Sequence, residues 1–183
     1  MAVSTVDVAR QAPTAKAIAA RALHAVKVYG RGTTEVRALD DVSVDFEVGG
    51  FTAIMGPSGS GKSTLLHCMA GLDALTSGQV MIGDTDLTTL DDRRLTLLRR
   101  DRVGFVFQAF NLVPTLTAEE NITLPLALAR RRADKEWLAA VVGALHLGDR
   151  LEHRPSELSG GQQQRVAAAR AMITRPELIF ADE

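Results

Sequence analysis

A glycine-rich stretch in the first half of the chain has the residue types and spacing of a phosphate-binding loop. Residues 56–63, Gly-Pro-Ser-Gly-Ser-Gly-Lys-Ser, match the pattern G-x-x-x-x-G-K-[ST]. Glycines let successive backbone N–H groups turn inward and bind phosphate oxygens. Lys62 would reach the outer phosphates and the Ser63 hydroxyl would hold Mg²⁺. The remaining expected phosphate contacts are Gly56, Ser58, Gly59, Ser60, Gly61 and Thr64.

A phosphate loop needs a strand before it and a helix after it. The apolar run 51–55 predicts a short, buried parallel strand that ends at the loop. From Thr64 onward the pattern predicts a helix whose positive N-terminus faces the phosphates. The alternative is an ordinary Gly/Ser turn between strand and helix, but the fixed positions and both flanking elements together favour the phosphate loop.

The segment before the loop predicts two strands and an aromatic side chain at the end of the first. Residues 23–29 predict one strand, and alternation of apolar and polar residues over 42–48 predicts a half-buried second strand. We expect them to form an antiparallel layer beside the phosphate loop. Tyr29 ends the first strand, where it could stack on an adenine base. The alternative is a core or surface tyrosine.

Two later apolar runs predict buried strands that end in polar residues. Residues 103–107 lead to Gln108, and residues 178–181 lead to Asp182 and Glu183. Ligands of open α/β sheets gather at the carboxyl ends of strands. Asp182 is therefore a candidate partner of Mg²⁺, and Glu183 could polarise an attacking water. Gln108 could ligate Mg²⁺ or orient water; the alternative is a polar residue that only terminates the strand.

The stretch 158–162, Leu-Ser-Gly-Gly-Gln, predicts a helix N-terminus with an unusual first turn. Ser159 and Gln162 have the spacing of a capping box. Gly160 and Gly161 disfavour a helix by about 1 kcal/mol each relative to alanine. Their use would be close backbone approach to an anion at the positive helix end. The alternative, a merely unusual helix start, is a serious rival locally.

The rest of the chain gives background for these motifs. Residues 109–157 predict a helical insertion without strands, opened by a capping box at 117–120. With a net charge of −1, no overall field favours nucleic acid or anionic lipid. The chain has one cysteine, Cys68, which we expect to be a core residue in a protein of a reducing compartment. Residues 1–20 predict a disordered extension.

Taken together, Tyr29, the loop 56–63, Gln108, the stretch 158–162 and Asp182-Glu183 resemble the nucleotide-binding subunit of an ABC transporter. The resemblance covers roughly residues 21–183, which would form the ATP-binding domain, with a helical subdomain at about 109–157. The stretch 107–121 narrows it to the lipoprotein-release, macrolide-export and cell-division branch. The implied fold is an α/β, P-loop NTPase with a mainly parallel core sheet, an N-terminal antiparallel β layer and a helical insertion.

The resemblance also implies roles for single residues, with ATP and Mg²⁺ as cofactors. Tyr29 would stack on adenine, Gln108 would sense Mg²⁺, Asp182 would serve Mg²⁺ and Glu183 would be the catalytic base. The stretch 159–162, and Ser159, Gly160 and Gly161 above all, would contact ATP held by a second copy, in a head-to-tail homodimer around two ATP. The implied partner is a membrane permease with a large extracytoplasmic domain, which places the subunit in the cytoplasm against the plasma membrane. No nucleic-acid partner is implied.

The family pattern continues beyond Glu183 with a dimer-contacting loop, a further strand and a histidine. That strand would lie between the phosphate-loop strand and the strand that ends at Asp182. We therefore expect a fragment of a longer protein that alone is a poor ATPase, with either an open gap between these strands or their collapse together. The alternatives are a chain that binds nucleotide with little hydrolysis, or a non-transport ABC-type ATPase.

Overall fold

A twisted antiparallel sheet forms the first layer of this computed structural model, which describes residues 17–182. β1 (Ile18–Tyr29) pairs with β2 (Val36–Glu47) on one side and with β3 (Ser77–Ile82) on the other, and β4 (Thr85–Asp86) extends the edge. The predicted antiparallel layer is therefore present. Both long strands begin earlier than the sequence indicated, so residues 18–20 belong to β1 and not to the expected extension. Residues 1–16 of that extension lie outside the described residues.

The phosphate-loop helix packs on this sheet. α1 (Lys62–Met69) buries Leu65, Cys68 and Met69 against small residues of β1, since Ala20, Ala22 and Ala25 are all fully buried. Alanines at these positions let the helix approach the sheet closely. α2 (Asp92–Arg102) follows, with its N-terminus capped by the Asp91 carboxylate, which accepts from Arg94 N. The same apolar core extends to Phe180 of the parallel strands.

Two short parallel strands carry the second group of candidate residues. β5 (Val103–Val106) and β6 (Leu178–Ala181) pair in register, with Val103 opposite Leu178 and Val106 opposite Ala181. Parallel pairing brings both carboxyl ends to the same edge. The residues that follow these strands, Gln108 and Asp182, consequently start from neighbouring positions.

Three helices build a second apolar core. α3 (Ala118–Leu128), α4 (Lys135–Ala144) and α5 (Gly160–Met172) pack together around Ile122, Val141 and Val166. Both capping boxes predicted from the sequence are formed, by Thr117 with Glu120 and by Ser159 with Gln162. The helical segment contains no strand between residues 109 and 157.

The segment that leads into the phosphate loop differs from the expectation of a buried strand. Residues 51–55 join no sheet, and Phe51 and Met55 are 98% and 88% exposed. A cleft of about 430 Å³ separates this segment from β6. Of the two expected arrangements the structure thus has the open gap. Within residues 17–182 no strand lies beside the segment, and solvent rather than a ladder reaches its backbone groups.

Asn121 is a buried polar side chain that connects α3 to the loop before it. It is fully buried, its Oδ1 accepts from Val113 N at 2.8 Å, and its Nδ2 donates to the carbonyls of Val113, Leu116 and Thr117 at 2.9–3.2 Å. One amide therefore satisfies several backbone groups of a loop that has no ladder of its own.

We predict that Asn121→Ala lowers the free energy of unfolding by about 2–4 kcal/mol, because it removes the described partner of the Val113 N–H and of the Leu116 carbonyl and leaves a hole at a buried side chain. Urea denaturation followed by circular dichroism measures the change. The matched control is Gln164→Ala on the exposed side of α5, which should change stability by less than about 0.5 kcal/mol. A similar small change for Asn121→Ala would show that the loop carries no such dependence.

Candidate functional site

Gly61, near the end of the phosphate loop, occupies a position that only glycine can take. Gly61 is the N-cap of α1 and has a left-handed backbone with φ of 87°. A Cβ atom at this position would lie 2.3 Å from the carbonyl oxygen of Ala38 on β2. The loop is therefore held against β2 by direct backbone contact, and the N-terminus of α1 starts at that point. The positive end of a helix at this place favours an anion.

Lys62 closes the loop on itself. Its Nζ donates to the carbonyl oxygens of Gly56 at 3.0 Å and Pro57 at 2.7 Å. The ammonium therefore lies against the first two residues of the loop. This arrangement gathers the positive charge of the loop at one point.

Ser63 and Asp182 meet, as the sequence predicted for two partners of one magnesium ion. Ser63 Oγ donates to Asp182 Oδ1 at 2.7 Å. Asp182 follows β6, and its backbone N donates to Val106 O of β5 at 3.0 Å, so the parallel pair fixes its position. The carboxylate side chain is 13% exposed, and its Oδ2 lies 3.5 Å from Nε2 of His67 on α1.

The donor set at this point fits Mg²⁺. A hydroxyl and a carboxylate are hard oxygen ligands, and Mg²⁺ in nucleotide sites typically takes one or two protein oxygens together with phosphates and water. Residues 17–182 contain no cluster of three or more His, Cys, Asp or Glu side chains that could hold a metal without such a ligand. The site is thus suited to a metal that arrives with a polyphosphate.

Tyr29 ends β1 with its side chain partly exposed. The phenol donates to Asp73 Oδ2 at 2.7 Å, and the ammonium of Lys27 lies 4.8 Å from the ring centroid. Partial burial raises the pKa of the Tyr29 phenol, and the hydrogen bond to Asp73 raises it further against an opposing contact with Thr64 of α1. The tyrosine is therefore a neutral donor at physiological pH and is tied to the helix that begins at the phosphate loop.

Gln108 lies in a turn just beyond β5 and is exposed. The turn continues through Phe110 and Asn111, which both have left-handed backbones with φ of 58° and 47°. The guanidinium of Arg170 on α5 donates to both of their carbonyl oxygens, at 2.6 and 2.7 Å. Burial lowers the pKa of this arginine, whose hydrogen bonds within residues 17–182 go to these two carbonyls. The Gln108 turn is thereby fixed to α5.

Glu183, the expected catalytic base, lies outside the described residues.

The stretch 158–162 forms an exposed helix N-terminus. Ser159 Oγ accepts from Gln162 N at 3.3 Å and Gln162 Oε1 accepts from Ser159 N at 2.8 Å. Added Cβ atoms at Gly160 and Gly161 would meet no atom within 4 Å. The fold itself therefore has room for side chains at both glycines. No hydrogen bond or ion pair described for residues 17–182 connects this stretch to the phosphate loop.

The structure thus brings together Lys62, Ser63 and Asp182, and it connects Tyr29 to the same helix. It does not bring Ser159–Gln162 to them. Sequence reasoning missed Lys27, His67 and Asp73. Lys27 lies two residues before Tyr29 and therefore on the same face of β1, so its position beside the tyrosine could have been predicted from the sequence. The residues next to His67 and Asp73 in the sequence do not indicate the partners of these two side chains.

Cys68 lies on α1 and is a core residue, as the sequence predicted. It is 2% exposed, and burial raises the pKa of its thiol to about 11. It is therefore not a nucleophile of this site.

A phosphate loop at a helix N-terminus, hydrogen-bonded to a strand-end carboxylate, defines a P-loop nucleotide-binding domain. Among the described helices none is both long and apolar enough to cross a membrane. The sequence model of the ABC transporter family matches residues 39–183. The chain belongs to this family and is an ATP-binding domain of the ATPase type. The α/β fold class expected from the sequence is confirmed.

Relatives and solved structures agree with this assignment. The chain is 50% identical over 163 residues to an uncharacterized ABC transporter ATP-binding protein of Thermotoga maritima, covering 86% of this chain and 68% of the relative. It is 48% identical to the macrolide export ATP-binding/permease protein MacB of Hyphomonas neptunium, covering 86% of this chain but 25% of MacB. The ATP-binding cassette MJ0796, solved as a dimer in a post-hydrolysis state with ADP and Pi, is 43% identical with a TM-score of 0.82, over 90% of this chain and 73% of that one. The chain thus spans only part of each.

We predict that Cys68 in the folded chain reacts with a thiol reagent such as DTNB at pH 8 at least about 100-fold more slowly than in the unfolded chain. A thiol with a pKa of about 11 is roughly 0.1% ionised at that pH, against roughly a quarter for an ordinary cysteine. Absorbance at 412 nm measures the rates, and the guanidinium-unfolded chain is the internal control. Fast, complete labelling of the folded chain would contradict the burial of this thiol.

Proposed function

We propose that this chain binds Mg·ATP at the phosphate loop and forms one half of a transporter ATPase in which two copies enclose two ATP molecules. The observation that carries the proposal is the hydrogen bond of Ser63 to Asp182 at 2.7 Å, directly after Lys62, whose ammonium donates to the loop carbonyls of Gly56 and Pro57. The loop and Lys62 would bind the phosphates, and Ser63 with Asp182 would hold Mg²⁺. The metal supplies positive charge that neutralises the phosphates and stabilises the charge that develops when the γ-phosphate leaves.

The remaining roles follow from position. Tyr29 would stack on adenine, and Gln108 would contact Mg²⁺ or the attacking water from the next strand end. Glu183, directly after Asp182, would be the base that accepts a proton from that water. These roles were implied by the family resemblance and are proposals for this chain.

The exposed start of α5 supports a partner molecule at the stretch 158–162. Gly160 and Gly161 lie in open space, so the fold gives no reason for two glycines in a first helical turn, where they disfavour the helix. A ligand phosphate brought by a second copy would supply the reason, because backbone N–H groups without side chains can approach it closely. MJ0796, a similar cassette, is dimeric in its solved structure.

Coupling to a membrane permease is proposed as the purpose of the ATPase. MacB, a relative, is named as an ATP-binding/permease protein for macrolide export. By analogy the partner is a permease, with a large extracytoplasmic domain as the sequence resemblance implied, and the site of action is the cytoplasmic face of the plasma membrane. Export or extraction is the proposed direction of transport.

A chain that binds ATP with little hydrolysis is the second candidate function. The unpaired segment 51–55 and the cleft beside β6 favour it, because both border the loop and Asp182. Comparing ATP affinity with steady-state ATP turnover separates the two: binding without turnover supports the second, whereas turnover that Lys62→Ala removes supports the first.

We predict that Lys62→Ala weakens ATP binding about 10- to 150-fold, because a hydrogen bond to a charged group contributes about 1.5–3 kcal/mol. Isothermal titration calorimetry with Mg·ATP measures the dissociation constant. Lys135→Ala at the exposed start of α4 is the control and should leave the affinity unchanged. If Lys62→Ala and Lys135→Ala bind ATP with equal affinity, the phosphate loop is not the ATP-binding site.

We predict that Asp182→Asn raises the Mg²⁺ concentration needed for half-maximal ATP binding by about tenfold or more, since the loss of a carboxylate next to a metal typically costs 10- to 100-fold in metal affinity. A Mg²⁺ titration at fixed fluorescent ATP analogue measures it. Asp101→Asn, which breaks an ion pair with Arg100, serves as control. A Mg²⁺ requirement unchanged by Asp182→Asn would exclude this carboxylate as a metal partner.

A further inference from the structure

Three side chains form a compact cluster at the end of β1. Lys27 and Tyr29 lie on the same face of the strand because they are two residues apart. Asp73 comes from the turn after α1. Its Oδ1 accepts from Lys27 Nζ at 2.6 Å and its Oδ2 accepts from the Tyr29 hydroxyl at 2.7 Å. One carboxylate therefore binds the cation and the phenol at the same time.

The ammonium also covers one face of the ring. Lys27 Nζ lies 4.8 Å from the Tyr29 ring centroid and donates in addition to the carbonyl of Ala74 at 2.7 Å. The Lys27 side chain is only 12% exposed, whereas Tyr29 is 41% exposed. A cation over an aromatic face attracts it. The ring is thus held from one side and remains accessible to a ligand.

Charge states in the cluster are defined. Partial burial raises the pKa of the Asp73 carboxyl, but hydrogen bonds from Lys27 and Tyr29 outweigh this and hold the pKa below its ordinary value. Asp73 is therefore ionised at neutral pH and compensates the nearly buried ammonium. Without the carboxylate, the ammonium would keep the Ala74 carbonyl as its only described hydrogen-bond acceptor, and the phenol would lose its acceptor.

The turn that carries Asp73 is tied to the helix of the phosphate loop. The backbone N–H groups of Leu72 and Asp73 both donate to the carbonyl of His67 on α1, at 2.8 and 3.3 Å. α1 begins at Lys62, directly at the loop. Asp73 consequently connects the Tyr29 ring to the far end of the helix whose near end binds phosphate.

We infer that Lys27 and Asp73 are positioning residues for the base of the nucleotide: they fix the ring of Tyr29, with one face accessible, at a set distance from the phosphate loop. This rests on the proposed function, in which Tyr29 stacks on the base. A ring held before the ligand arrives loses less conformational freedom on binding. The pair therefore favours a nucleoside triphosphate, which reaches both places, over an inorganic polyphosphate, which reaches only the loop.

The test measures the dissociation constants of ATP and of inorganic tripolyphosphate, both with Mg²⁺, by calorimetry on the full 183-residue chain. The variants are Asp73→Asn and Lys27→Met. Each should weaken ATP binding about threefold to tenfold, the range expected for ordering one side chain, and change tripolyphosphate binding less than about twofold. A double variant, Lys27→Met with Asp73→Asn, removes both charges and replaces a single variant that fails to fold.

Two further variants serve as references. Asp45→Asn breaks the 2.5 Å ion pair with Arg21, which joins β1 to β2 outside the cluster. It should leave the ratio of the ATP and tripolyphosphate dissociation constants unchanged. Tyr29→Ala removes the stacking ring and should weaken ATP but not tripolyphosphate.

The outcomes separate the inference from the proposed function. If Tyr29→Ala weakens ATP selectively and the Lys27 and Asp73 variants do not, the inference is overturned and the proposed function stands. If the Lys27 and Asp73 variants weaken the binding of ATP and of tripolyphosphate equally, these two residues only stabilise the fold and the inference is again overturned. If Lys62→Ala leaves both ligands unaffected, the proposed function fails and the inference with it.

Discussion

The hydrogen bond between Ser63 and Asp182 connects two parts of the chain 119 residues apart, and the geometry of the site depends on it. Within residues 17–182 the segment before the phosphate loop has no strand beside it, so no described sheet on that side positions the loop. Its position comes instead from the backbone contact of Gly61 with β2, the packing of α1 on β1, and this hydrogen bond to the end of β6.

The phosphate loop binds the ammonium of its own lysine with its backbone. Lys62 is hydrogen-bonded to the carbonyls of Gly56 and Pro57. A phosphate would exchange contacts with neutral carbonyls for contacts with charged oxygens, which are stronger. In the proposed complex, Ser63 and Asp182 would likewise exchange their mutual hydrogen bond for contacts with the metal ion.

Sequence alone predicted the local features well and the distant contacts poorly. The capping boxes at Thr117 and Ser159 depend on residues three apart, so they can be read directly. The meeting of Ser63 with Asp182 followed from general rules for strand ends. Residues 51–55 were predicted as a buried strand, but they form no strand, and all except Ile54 are exposed. An apolar run indicates a preference for burial but not whether a neighbouring strand is present. Asp73 and Asn121 have partners set by the fold, and no spacing in the sequence indicates them.

Arg170 has a mechanical consequence. α5 has the stretch 158–162 at its start and Arg170 near its end, and the guanidinium holds the turn that follows Gln108. Ten residues of α-helix span about 15 Å and bend little over that length. The helix therefore joins its exposed start to the turn after Gln108 through one continuous element. In the proposed dimer, a tilt of α5 at its start would move that turn with it.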